Sequence, residues 1–309
     1  MVSMNRRRFL AITAATVGAA TATRAGAEPL YQWRGQALGS RASITLKHPD
    51  AERIAARAAA EIARLENVFS LFRTGSELSR LNATGRLQAP SFELLDCLSV
   101  CGAVHAASGG LFDPTIQPLW ASYAEHYAVG SAPDATARAA ALALVGWASL
   151  RFDADLIHFA RPGMALTLNG VAQGYIADRV ADLLAAEGLT DILVDTGEMR
   201  ALGGHPDGGA WPVTLDMGGE LVPGAMQLRD RALASSAPLG TVFDAKGRVG
   251  HILNPLTGLP AVPQWRLVSV TAPKAGLADA LSTAFCLMPR ADILRTLAAF
   301  PQARLLHLA

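Results

Sequence analysis

Apolar residues recur at helical spacing in several long segments of the chain. In residues 51–69, Ile54, Ala58 and Ile62 return every four positions between charged residues, which is the pattern of an amphipathic helix. Ser76 stands where an N-cap is expected, ahead of a short helical turn. The helical segments predicted in this way cover residues 51–69, 76–82, 91–108, 135–144, 172–187, 275–287 and 290–300.

Shorter apolar runs bounded by Gly, Pro and Asp predict strands. Residues 31–47 alternate around Leu38-Gly39-Ser40, which indicates a strand, a turn and a second strand. Helices and strands are mixed without the strict βαβ order of a parallel sheet. The sequence therefore predicts an α+β fold with mixed, largely antiparallel sheets packed against helices. The other predicted strands are 150–152, 156–159, 192–195, 211–215, 225–228, 232–236 and 267–271.

The first 27 residues have the composition of an export signal. Arg6-Arg7-Arg8-Phe9-Leu10 precedes a short Ala-rich apolar run, and Ala25-Gly26-Ala27 provides a small-residue cleavage site. The paired arginines favour the twin-arginine route to the periplasm. A retained membrane anchor is the alternative for this segment. We therefore expect a twin-arginine-type signal peptide at residues 1–27 and one domain at residues 28–309.

Charge and cysteine content exclude some classes of function. The chain has 27 basic and 26 acidic residues; four of the basic and none of the acidic ones lie in residues 1–27, so the remainder has a net charge of −3. No basic run remains in residues 28–309 to bind nucleic acid, and nucleic acid is therefore not expected as a partner. Cys97, Cys101 and Cys286 are interpreted as small buried residues, although a redox pair is the alternative for the first two.

A carboxylate and a hydroxyl lie four residues apart on the predicted helix 275–287. Asp279 and Thr283 can therefore point at one hard cation, and an oxygen-only set of ligands suits Mg²⁺. The alternative is that Asp279 caps the helix and Thr283 merely packs. Spacing alone does not decide between the two interpretations.

Three other segments combine glycines with polar side chains. Residues 168–175, Leu-Asn-Gly-Val-Ala-Gln-Gly-Tyr, form a glycine turn leading into a helix, where backbone N–H groups can approach a phosphate. His251 follows a strand end and could accept a proton from an attacking hydroxyl, or could be a half-buried histidine bonded to a loop carbonyl. Asp113, after Gly109-Gly110, could bind a ligand donor or form an Asx turn over Thr115.

The order and the sequences of these segments resemble those of the ApbE family, the FAD:protein FMN transferases. The likeness runs over nearly the whole of residues 28–309, and the NosX-type branch associated with nitrous oxide respiration is especially similar. The segments that carry it are 38–40, 66–73, 76–82, 109–115, 168–178, 194–197, 251–260 and 278–283.

The resemblance implies an ApbE-like fold and a reaction in which a threonine hydroxyl of an acceptor protein attacks FAD, takes its FMN moiety and releases AMP. It implies Mg²⁺ held by Asp279, Thr283 and the backbone carbonyl of Gly170, with His251 as the base. The acceptor is expected to be an exported or membrane-bound electron-transfer protein. Implied flavin, adenine and phosphate contacts are Leu38, Phe72, Leu111, Phe112, Asp113, Thr167, Gln173 and Ile252.

The chain departs from the family's usual residues at four positions. Thr167 stands where Asp is usual, Gln173 where Lys is usual, Glu198 where Gly is usual and Asn254 where Asp is usual. Loss of a carboxylate at 254 suggests a weaker orienting partner for His251. Mg²⁺-dependent hydrolysis of FAD and a non-catalytic periplasmic flavin carrier are the alternative functions.

Overall fold

The computed structural model describes residues 29–217 and 219–309; the predicted signal segment lies outside them. Ser76 accepts a hydrogen bond from the N–H three residues later, as predicted for an N-cap, and Ser91 does the same at the start of the third helix. The helices are α1 Ala51–Phe69, α2 Glu77–Thr84, α3 Phe92–Ala107, α4 Gln117–Ala128, α5 Ala135–Leu142, α6 Ala172–Ala186, α7 Ala275–Phe285 and α8 Arg290–Leu297.

Every strand pairing within the described residues is antiparallel. A seven-stranded sheet has the order β1-β2-β6-β7-β10-β11-β12, a three-stranded sheet the order β3-β5-β4, and β8 pairs with β9 alone. The α+β prediction with largely antiparallel sheets is confirmed. The strands are β1 Tyr31–Ala37, β2 Ser40–Leu46, β3 Arg86–Gln88, β4 Leu150–Phe152, β5 Leu156–Phe159, β6 Ile192–Asp195, β7 Met199–Leu202, β8 Trp211–Val213, β9 Met226–Leu228, β10 Ala232–Ser236, β11 Val268–Ala272 and β12 Arg304–Leu308.

Helices cover one face of the large sheet, and the β8–β9 hairpin covers part of the other. Helix α7 contacts β10 and β11 on one side and α3 and α6 on the other, so most of its residues are buried. Cys97 and Cys101 of α3 and Cys286 after α7 are buried, unbridged thiols, which confirms their interpretation as packing residues. In the part of the chain that the structure describes, no helix has the length and apolar character needed to cross a membrane.

Candidate active site

Helix α7 carries the two side chains that the sequence singles out as cation ligands. Asp279 and Thr283 lie one helical turn apart, and Asp279 is only 3% exposed. The cap of α7 comes from helix α6: Asp178 accepts hydrogen bonds from the N–H groups of Ala275 at 2.8 Å and Gly276 at 2.9 Å. The alternative that Asp279 caps its own helix is wrong, because Asp279 lies in the second turn.

The glycine turn before α6 contacts the same face of α7. A Cβ atom on Gly170 would stand 2.9 Å from Oγ1 of Thr283, so the turn backbone touches this hydroxyl. The N–H of Gly174, which has no acceptor within its own helix, donates to Oδ2 of Asp279 at 3.3 Å. A Cβ on Gly174 would lie 2.3 Å from the carbonyl oxygen of Ala275, so the close crossing of the two helices requires glycine. The structure thus brings Gly170, Asp279 and Thr283 together.

Ser236, at the end of β10, is a further hydroxyl of this site. Its Oγ lies 2.7 Å from Oγ of Ser282 and 3.3 Å from Oγ1 of Thr283. Sequence reasoning missed Ser236. The available signal is the pair Ser235-Ser236 at the end of a strand that is otherwise apolar.

His251 lies in a loop with its ring half-buried. Its Nδ1 is 3.0 Å from the carbonyl oxygen of Thr241; because a carbonyl only accepts, Nδ1 carries the proton and Nε2 keeps the lone pair. Burial lowers the pKa of His251 below its usual value, which favours the neutral imidazole that a base requires.

The orienting role expected at position 254 is wrong. Oδ1 of Asn254 accepts hydrogen bonds from the N–H groups of Leu256 at 2.8 Å and Thr257 at 3.2 Å, and it therefore holds the turn after His251 rather than the imidazole. Because the carbonyl of Thr241 orients the ring, the change from Asp to Asn at 254 does not remove the group that positions His251.

Two buried carboxyl groups at the site, Asp279 and Glu198, have raised pKa values. Burial, with a smaller contribution from the neighbouring charge of Asp178, raises the pKa of Asp279 to about 7. Burial also raises the pKa of Glu198 well above its usual value, and the charge of Asp279 acts in the same direction. Oε2 of Glu198 accepts the N–H of Ser235 at 3.0 Å. A hard divalent cation would favour the ionised form of Asp279, and the groups of the proposed set that could bind the cation are all oxygen atoms.

We expect the metal-free protein to lose stability as the pH rises from about 4 to about 7. The folded pKa of Asp279 is about 7 against 3.8 for an unperturbed Asp. The folded state therefore binds more protons than the unfolded state between these values, and the free energy of unfolding falls with increasing pH. Melting curves in EDTA at several pH values check this. Mg²⁺ should restore the melting temperature at the upper pH, and a melting temperature in EDTA that rises over this range would contradict the assignment.

The chain is similar to members of one protein family through most of its length. Residues 38–306 match the ApbE family. The chain belongs to the ApbE family. It is 31% identical to an FAD:protein FMN transferase of Treponema pallidum over 268 residues, which cover 74% of this chain and 72% of that protein.

Solved ApbE structures share the fold. The ApbE protein of Thermotoga maritima superposes with a TM-score of 0.79 at 26% identity, covering 90% of this chain and 93% of that one. The flavinyl transferase ApbE of Pseudomonas stutzeri, in its apo form, gives a TM-score of 0.75 at 26% identity, covering 90% of this chain and 89% of that one. The ApbE-like fold expected from the sequence is confirmed, and this ApbE-family chain is a transferase.

The apolar residues implied as flavin contacts differ in exposure in this ApbE-family chain. Phe72 is 80% exposed and is thus available to a ligand. Leu38 is held by a hydrogen bond from its N–H to Oε1 of Glu66 at 2.8 Å, with a left-handed φ of 49°. Leu111, Phe112 and Ile252 belong to or pack against the main core, and of these only Leu111 is half-buried.

The Asx turn at Asp113 is confirmed. Oδ1 of Asp113 accepts the N–H and the hydroxyl of Thr115 at 2.8 and 2.6 Å, and Oδ2 accepts the N–H of Trp147 at 3.0 Å. A ligand donor would therefore share oxygen atoms that already accept hydrogen bonds. The N–H of Thr167 donates to the carbonyl of Pro114 at 2.8 Å. This hydrogen bond joins the Asp113 turn of this ApbE-family chain to the segment that leads into the glycine turn.

Gln173 is tied to the loop between β6 and β7. Its Nε2 donates to the carbonyl oxygen of Thr196 at 3.0 Å, and the hydroxyl of Thr196 donates to the carbonyl oxygen of Gln173 at 2.7 Å. The side chain therefore fixes the first turn of α6 against this loop. A lysine in its place would carry a positive charge that this ApbE-family chain lacks here.

Proposed function

We propose that this protein transfers the FMN moiety of FAD to a threonine hydroxyl of an acceptor protein, in a Mg²⁺-dependent reaction that releases AMP. The observation that carries the proposal is the meeting of Gly170, Asp279 and Thr283 from two sequence-distant segments of an ApbE-family chain. The curated relatives that the chain matches are FAD:protein FMN transferases.

The residues present fit Mg²⁺. Asp279 supplies a buried carboxylate, Thr283 a hydroxyl, and Gly170 a backbone carbonyl in a turn whose missing Cβ lets it approach that hydroxyl. Ser236 lies within hydrogen-bond distance of Thr283 Oγ1 and can fix which lone pair that oxygen presents. A bound Mg²⁺ would neutralise pyrophosphate charge and polarise the phosphorus under attack.

The chain's own groups do the remaining work. In the proposed reaction the acceptor hydroxyl gives its proton to Nε2 of His251 and its oxygen forms a bond to the phosphorus on the FMN side. The bond from that phosphorus to the bridging oxygen breaks, and AMP departs with the bridging oxygen. The N–H of Gly174 and the first turn of α6 add positive potential near Asp279. Catalysis here rests on positioning and charge neutralisation, as in other phosphoryl-type transfers.

Location and acceptor belong to the same proposal. The arginine pair and small-residue cleavage site in residues 1–27 support export to the periplasm by the twin-arginine route. An exported or membrane-bound electron-transfer protein would then supply the acceptor threonine. The likeness to the NosX-type branch supports the accessory flavoprotein of nitrous oxide reductase as the first acceptor to try.

We expect incubation with FAD, Mg²⁺ and a flavin-free form of that acceptor to give fluorescent acceptor on a denaturing gel and an equal amount of AMP. Replacing the acceptor threonine with valine should remove both products, because no hydroxyl remains to attack. AMP without labelled acceptor would instead support hydrolysis of FAD. Tight flavin binding with neither product would support a carrier.

A further inference from the structure

Helix α7 begins without a cap from its own sequence. Lys274, at the N-cap position, makes no side-chain hydrogen bond to the first turn. The first N–H groups of a helix have no acceptors within it. At the start of α7, one side chain accepts two of these N–H groups. Oδ1 of Asp178 accepts the N–H of Ala275, and Oδ2 accepts the N–H of Gly276. Asp178 comes from the middle of α6, nearly 100 residues earlier in the chain.

Helix α6 therefore holds α7 at two successive turns. Gly174, one turn before Asp178, donates its N–H to Oδ2 of Asp279. Asp178 fixes the start of α7 through Ala275, one turn before Asp279. Two contacts one turn apart on each helix determine both the position of α7 along its axis and its rotation about it. Rotation decides where Asp279 and Thr283 point.

Asp178 is a buried carboxyl group with positive partners around it. Asp178 is 5% exposed, and Nε of Arg200 on β7 lies 3.5 Å from its Oδ1. The N-terminus of α7 adds positive potential at the same oxygens. A buried carboxylate is costly unless such partners surround it. An exposed capping side chain needs neither this burial nor a contact with an arginine. The helix that Asp178 caps, α7, is the one that carries the proposed cation ligands.

We propose that Asp178 is a positioning residue for the divalent-cation site: by fixing the start of α7, it sets Asp279 and Thr283 against Gly170 in the arrangement that binds the ion. This inference rests on the proposed function, because it takes Asp279 and Thr283 as the ligands. In this role Asp178 does not contact the ion, and it positions the ligands through its hydrogen bonds to the backbone of α7.

The test measures Mn²⁺ alone, as a paramagnetic substitute for Mg²⁺, by titration of full-length protein without FAD. We expect Asp178→Ala to weaken Mn²⁺ binding by about tenfold or more, which is the size of effect seen when groups behind metal ligands are removed. Asp178→Asn keeps one carbonyl acceptor and should give an intermediate loss, and it provides the measurement if the alanine variant does not fold.

Two matched controls separate positioning from general stability. Asp182→Asn removes the exposed ion pair between α6 and Lys274, 2.7 Å long, at the same helix start. Val180→Ala removes buried volume from α6, near Asp178, without touching α7's first N–H groups. Both should bind Mn²⁺ like the wild type while they remain folded.

The outcomes distinguish this inference from the proposed function. Wild-type Mn²⁺ affinity in a folded Asp178→Ala or Asp178→Asn protein would overturn the positioning role. An equally large loss of Mn²⁺ affinity in Val180→Ala would also overturn it, because any destabilisation of α6 would then be enough to weaken Mn²⁺ binding. If Asp279→Ala binds Mn²⁺ as tightly as the wild type, the proposed metal site itself fails, whatever the Asp178 variants show.

Discussion

Replacing Asp279 with asparagine should lower the rate of flavin transfer by about a thousandfold and abolish tight binding of Mg²⁺. Asparagine keeps the size of the side chain but removes the only charged ligand in the proposed set. The transition-state stabilisation that a bound cation supplies is several kcal/mol, and each 1.4 kcal/mol corresponds to a factor of ten in rate. Initial rates of acceptor labelling at saturating FAD, together with a metal titration, measure both effects.

The same substitution should stabilise the metal-free protein at about pH 8. Asp279 is buried beside the like-charged Asp178, and its raised pKa of about 7 means that its ionisation opposes folding. An uncharged amide of the same shape removes that penalty. Asp292→Asn on α8 replaces an exposed carboxylate that pairs with Arg295 and should change neither property. Labelling by Asp279→Asn at the wild-type rate would refute the role of Asp279.

The segments that contain most of the site could be predicted from the sequence, because each is a local pattern. Helix α7 follows from its apolar spacing, and Asp279 and Thr283 stand out as polar residues at a four-residue interval in it. The glycine turn at Gly170 likewise precedes a long amphipathic helix. Periodicity also predicted most helices and strands, with ends that differ by up to three residues from those of the structure.

What sequence reasoning missed depends on contacts between distant residues. Asp178 reads locally as one more polar position in α6, and only the packed helices show that it caps α7. Thr241 orients His251 through a carbonyl group, which every residue possesses and which no sequence pattern reveals. Ser236 joins the site because β10 ends beside α7.

Helix α4 and three strands were also missed for physical reasons. Only Leu119 and Tyr123 of α4 are buried, so the helix shows little apolar periodicity. It packs through aromatic rings, and the ring centroids of Trp120 and Phe243 are 5.3 Å apart. Strand β7 has four residues including Arg200, and β12 begins with Arg304, so neither shows a clear alternation of apolar and polar residues. Strand β3 has three residues, and its pairing with β5 defines it.

His251→Ala should lower the rate of flavin transfer by about 10² to 10⁴-fold, the range for loss of a general base, while leaving Mn²⁺ affinity unchanged. The imidazole presents Nε2 as its acceptor because Nδ1 donates to the carbonyl of Thr241. Since burial lowers the pKa of His251, the base is already neutral at pH 7 and above. The rate attributable to this group should therefore decrease only when the pH falls below the usual histidine value of about 6.5.

Asn254→Asp provides the matched comparison, because it restores the carboxylate usual in the family at a position whose side chain holds the turn and not the imidazole. We expect it to change the transfer rate little. A large rate increase would show that a carboxylate at 254 does act on His251, although Asn254 bonds only the turn. Unimpaired transfer by His251→Ala would remove histidine from the reaction and leave proton transfer to water or to the acceptor protein.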